Sequence, residues 1–182
     1  MKNIITLLFL SVMICLTSCD NDDDNSGDTL PPATQTGANT VGCLVNGQVF
    51  LPKSEGINPA VVVNYEFFDG DFFFGLTFKD QRGTIDEIVS LGTGYITLEE
   101  NINYILDKNT TDDGDYEGGG GAYRPSNLDN GQYLTTSSVT GELTITRLDL
   151  SNSIISGTFW FDAINEDGEM VEIREGRFDY QY

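Results

Sequence analysis

Between Asn109 and Gln132 the chain gathers the residue types that could do chemistry. Asp113, Asp115 and Glu117 stand at the first, third and fifth places of a stretch whose sixth place is Gly118. That is the spacing by which a calcium loop turns several oxygens onto one cation. The twelfth place is Arg124, where such a loop needs a bidentate glutamate, and no helical pattern flanks it, so a solvated acidic loop is the competing reading. Tyr116, Tyr123, Arg124 and Tyr133, set among Gly, Ser and Asn, have the composition of an adaptable recognition loop, in which aromatic rings offer contact area at small entropic cost. The alternative use of the tyrosines is to anchor the loop on a sheet. Gly118–Gly121 lack the lysine and the strand-to-helix setting of a phosphate loop and read as flexible chain. A connection of this length in a compact domain is commonly functional or disordered.

The chain has no histidine, which removes histidine-based triads, histidine zinc sites and histidine acid–base chemistry together. A hydrolase without histidine would have to work through paired carboxylates at a set separation in a cleft. With 29 acidic and 9 basic residues the formal charge is −20, which repels phosphate backbones and acidic headgroups and argues against a nucleic-acid partner. No catalytic residue and no cofactor is expected, calcium being the one ion the spacing invites.

These residues need a frame, and the pattern around them is that of strands. Val, Ile, Thr, Phe and Tyr alternate with polar residues between frequent turn signals, and no long helical period is present. In 60–68 the odd positions Val61, Val63, Tyr65 and Phe67 are apolar; in 71–78 the even positions Phe72, Phe74, Leu76 and Phe78 are. An Asp69–Gly70 turn then pairs 67 with 72, 65 with 74, 63 with 76 and 61 with 78, all on one face. Asn46–Gly47 makes a second turn and sets Cys43 opposite Phe50, as a small buried thiol. A third hairpin joins 154–164 to 170–180 through a loop of 166–168, pairing Ala163 with Val171 and Phe161 with Ile173. Beyond Ile173 the apolar parity switches, which predicts a β-bulge at Glu175–Gly176, with Gly157 making room for Phe178. Trp160 then lies across from Arg174 as a cation–π staple. Further strands are expected at 84–91, 94–98, 103–107 and 142–150, with at most one helical turn at 98–101. The sum is one antiparallel all-β domain over 41–182, a β-sandwich or flattened barrel of about nine strands.

The N-terminus reads as an address. Lys2 precedes an apolar run from Ile4 to Cys15 that is too short to span a bilayer as a mature helix, so 1–18 form a signal peptide. Leu16-Thr17-Ser18-Cys19 resembles the lipobox of bacterial lipoproteins, whose cysteine is lipidated and becomes the first residue after cleavage. That leaves Cys43 alone, so no intramolecular disulfide is expected. Residues 19–40 hold little that could pack and are expected to be a disordered acidic tether reaching a few tens of ångströms. Asp20, Asp22, Asp23 and Asp24 beside the cysteine resemble the surface-export signal of Bacteroidota lipoproteins; simple solvation of the tether is the alternative. Asp28-Thr29-Leu30 resembles the O-glycosylation pattern of that phylum.

Residues 36–52, together with 140–146, 157–163 and 174–179, resemble an uncharacterised lipoprotein family of Bacteroidota. The resemblance implies a single lipid-anchored β domain with no assigned activity and carries over no catalytic or binding residue; the lipobox and the acidic export signal together place the expected domain at the outer membrane, exposed at the cell surface. The expected function is therefore a non-catalytic binding or structural module held to the membrane by lipid. The alternatives are a calcium-stabilised or carbohydrate-binding domain using 109–132, or a histidine-free hydrolase. Ligand, protein or glycan partner, and oligomeric state are left open.

Overall fold

The Asn46–Gly47 and Asp69–Gly70 pairs take positive φ at both positions, 48° and 79° in the first and 49° and 93° in the second. A two-residue turn of this kind twists in the sense its strands require. In the computed structural model, which describes residues 28–109, 117–126 and 131–182, the first turn joins β1 (Thr40–Val45) to β2 (Gln48–Phe50) and the second joins β3 (Val61–Phe68) to β4 (Asp71–Asp80). The chain continues through β5 (Glu87–Gly94), β6 (Asn103–Leu106), β7 (Gly118–Pro125), β8 (Tyr133–Leu134), β9 (Gly141–Asp149), β10 (Ile154–Ile164) and β11 (Met170–Gln181), with no helix among the described residues. The molecule is all-β, with eleven strands where about nine were expected.

Hydrogen bonding runs in the order β2-β1-β11-β10-β9-β6-β7-β5-β4-β3, and β8 bridges β7 and β10. That bridge closes β10, β9, β6, β7 and β8 into a small barrel. The remaining strands extend from it as two wings whose inner faces pack together. Aromatic rings span the gap: Phe50 meets Phe78 at 5.5 Å, Phe74 meets Phe178 at 5.6 Å, and Phe78 meets Phe159 at 6.3 Å between centroids. The wings are also joined by backbone at their rims, where Lys53 N–H donates to the carbonyl of Lys79 (2.9 Å) and Gln81 N–H to that of Lys53 (3.0 Å). Phe78, Phe161, Leu76, Leu143, Ile145, Ile155 and Ile173 are fully buried between these layers.

The hairpin registers are those read from the sequence. Val61 pairs with Phe78, Tyr65 with Phe74 and Phe67 with Phe72; Cys43 pairs with Phe50; Ala163 pairs with Val171 and Phe161 with Ile173. The β10–β11 register shifts between Phe159 and Phe161, and Glu175 takes a φ of 52°, which is the expected bulge. Gly157 faces Phe178, where an added Cβ would stand 2.8 Å from the ring. Cys43 is fully buried, and burial pushes its thiol up, away from nucleophilic use.

Three expectations are corrected. No strand covers 94–98: β5 ends at Gly94, and Tyr95 turns the chain with a φ of 55°. Gly118–Gly121 are not flexible chain but the first half of β7, paired along its length with β5. The expected tether is divided: 19–27, with Cys19, Asp20, Asp22, Asp23 and Asp24, lie outside the described residues, whereas Thr34–Ala38 are strapped to β11 by buried Asp179. Its carboxylate accepts from Thr34 Oγ1 (2.7 Å), Thr36 N–H (2.9 Å), Gly37 N–H (2.7 Å), Ala38 N–H (3.2 Å) and Ser156 Oγ (2.7 Å). Near neutrality a buried carboxylate keeps its charge only when donors replace water, and the hydroxyls and amides gathered here do so.

Candidate binding site

Strand β7 can lie deep in the barrel because it begins with four glycines. A Cβ on Gly121 would stand 2.9 Å from the Phe161 ring, and one on Gly119 would stand 2.8 Å from the Leu106 side chain. Bare backbone lets those side chains close over the strand. Thr135 then ties β7 to its neighbours: its hydroxyl donates to the carbonyl of Lys108 (2.6 Å) and accepts from Gly121 N–H (2.9 Å). The consequence is a fixed exit for the last residues of β7, where Arg124 and Pro125 emerge half-buried beside β8.

There a cavity of about 530 Å³ opens, walled by Arg124, Gln132 and Thr136 with Leu134 and Ile164 as its apolar part; Asn109, Asn165 and Glu166 complete the rim. The volume falls in the range of small-molecule sites. Asn165 is committed to its own turn, donating to Glu169 Oε2 (3.0 Å) and accepting from Glu169 N–H (2.8 Å). Four of the five arginines pair with carboxylates: Arg82 with Asp28 and Asp80, Arg147 with Asp149, Arg174 with Asp162, and Arg177 with Glu175. Arg124 has no carboxylate partner among the described residues, and its Nε is buried with no acceptor. An unmatched buried donor of this kind costs about 1–3 kcal/mol, more when it is charged.

The family model for a domain of unknown function, DUF6252, matches residues 83–180. The chain belongs to this family. Neither the curated proteins nor the solved structures hold a match to it. Every residue lining the Arg124 cavity lies inside the DUF6252 span. The span begins just before β5 and so leaves out β1 to β4, yet Phe74 and Phe78 of β4 supply part of the core against which its strands close.

The residues singled out in 109–132 thus part company in the DUF6252 structure. Asp113, Asp115 and Tyr116 lie outside the described residues, and Glu117 is exposed. Tyr123 is buried on β7 and its hydroxyl donates to Glu87; burial first, and that carboxylate second, push its phenol up. Tyr133 on β8 donates to Glu169 Oε2 (3.1 Å), with its phenol also raised, and the two rings meet at 5.7 Å. Both tyrosines therefore anchor β7 and β8, which was the alternative to recognition. Arg124 alone of that set lines the cavity. Sequence reasoning missed Gln132, Leu134 and Thr136, whose place beside it depends on the β7–β8–β10 closure.

On the outer face of the DUF6252 barrel, Arg174 lies 5.4 Å from the centroid of Trp160, as the register required. Its guanidinium is held by Asp162 (2.6 Å) and by the carbonyls of Phe161 (3.2 Å) and Ile173 (3.0 Å). A smaller groove of about 390 Å³ runs alongside, bordered by Glu142, Glu175 and Arg177. Its one arginine is already paired with Glu175 at 3.1 Å. The geometry here is that of a surface staple.

Proposed function

We propose that this protein is a lipid-anchored lipoprotein of the cell envelope, displayed at the surface of the outer membrane, that acts as a non-catalytic binding module. The observation that carries the binding half of this reading is the Arg124 cavity: a preformed concavity lined by an arginine that pairs with no carboxylate among the described residues. An all-β barrel with a filled core is a rigid support for such a site. The anchoring half is supported by the charged start, the apolar run and the Leu16–Cys19 pattern, followed by Asp20, Asp22, Asp23 and Asp24 as an export signal. A chain with this many acids repels an anionic bilayer, so stable attachment calls for covalent lipid rather than surface charge.

Cys19→Ala should abolish incorporation of labelled fatty acid and move the protein from the membrane fraction to a precursor or a soluble form. Unchanged label and fractionation would overturn the anchor. Replacing Asp22, Asp23 and Asp24 by alanine should lower cleavage by external protease on intact cells. Unchanged cleavage would make those residues mere solvation of the tether.

A further inference from the structure

We propose that the Arg124 cavity binds a sugar acid bearing one carboxylate, a uronic acid, with that carboxylate seated on the Arg124 guanidinium. The inference rests on the reading of this protein as a binding module and names the ligand class of that site. Three observations lead to it. The first is charge. In a chain of 29 acids, Arg82, Arg147, Arg174 and Arg177 are each satisfied from within, while Arg124 lines open volume and pairs with no carboxylate among the described residues. The guanidinium is a planar fork matched to two oxygens of one carboxylate, so the group that best completes it is external and anionic.

The second is the number of charges. The rim carries Glu166, and the protein as a whole stands at −20. A dianionic phosphate or a polyphosphate would meet that field with about twice the repulsion of a single carboxylate. The site therefore selects one negative charge over several. The third is the rest of the wall. Gln132 supplies an amide and Thr136 a hydroxyl, which suit the hydroxyls of a sugar, while Leu134 and Ile164 offer a small apolar patch for a ring's C–H face. About 530 Å³ holds one or two pyranose rings.

The test is calorimetric titration of the purified full chain with galacturonate, glucuronate, galactose and N-acetyl-alanyl-alanine. Galacturonate or glucuronate should bind at least tenfold more tightly than galactose, and Arg124→Gln should weaken that binding at least tenfold while leaving the melting temperature of the free protein unchanged or raised. Arg124→Lys should fall between the two, because it keeps the charge and loses the fork. If Arg124→Gln fails to fold, Arg124→Lys and Gln132→Ala carry the test, each weakening the uronate and not the melting temperature. Equal affinity for galactose and galacturonate, no binding of either uronate, or full affinity in the Arg124 variants would overturn the proposal. Binding of the dipeptide in place of the uronates would overturn it as well, and would turn the site toward peptide termini. Recovery of a different envelope component on the intact protein, with no uronate binding, would sink this inference and leave the binding-module reading standing; no partner of any kind would sink both.

Discussion

A single carboxylate holds the first described stretch of this chain in place. Asp179 takes five close hydrogen bonds from Thr34, Thr36, Gly37, Ala38 and Ser156. Burial pushes its carboxyl up, but these donors outweigh burial and hold it well below the usual carboxylate range. The sign of the pH effect follows. A group whose folded value is depressed stabilises the fold above its unfolded value, near 4, and that stabilisation fades as pH falls through the folded value. Asp179→Asn should therefore lower stability at pH 7 by about 2 kcal/mol, the scale of hydrogen bonds to a charged group. It should also flatten the loss of stability on acidification between about pH 5 and pH 2. Urea unfolding at pH 7 and pH 3 measures both, and limited proteolysis should find new cuts in 34–38 of the variant. Identical acid profiles would show that the strap does not depend on that charge. None of this was legible in the residues: an aspartate near the end of a strand looks like any solvated acid until Thr34 and Gly37 come back to it across more than 140 positions.

At the scale of elements, legibility followed locality. The β3–β4 and β1–β2 registers depend on two-residue turns and alternating side chains, both contained in a few neighbouring residues, and they were read residue for residue. The bulge at Glu175 was legible too, because a switch in apolar parity has one structural remedy. Strand β7 carried no such mark. Four glycines have no side chains to alternate, and their place is decided by Phe161 and Leu106, which need the space. The same reasoning predicts where a methyl group is intolerable. At Gly141 a Cβ would stand 2.2 Å from both the Trp160 carbonyl and the Phe161 Cβ, and backbone cannot swing aside. Gly141→Ala should cost about 3 kcal/mol or prevent folding, the upper end for overpacking. Gly56, with nothing within 4 Å of an added Cβ and no positive φ, is the control. Gly56→Ala should be neutral or stabilise slightly by narrowing the unfolded ensemble. Equal melting temperatures for the two variants would contradict the close packing at β9 and β10.

Charge dominates at the scale of the whole molecule. In each described ion pair at least one side chain is about a third or more exposed, so each contributes little, while 29 acids against 9 bases repel one another throughout the folded state. Raising sodium chloride from about 0.01 M to about 0.5 M shortens the screening length from roughly 30 Å to a few ångströms. The melting temperature should rise by several degrees over that interval; a fall would mean that the ion pairs outweigh the repulsion. Composition and pattern alone thus settled the acidic surface, the all-β class and three hairpin registers, because each depends on residue identity or on near neighbours. The closing of β8 between β7 and β10, the strap on Asp179 and the meeting of Arg124 with Gln132 and Thr136 around one cavity were decided only in three dimensions. They arise from contacts between residues far apart in the chain, and no local period or spacing carries a trace of such a meeting.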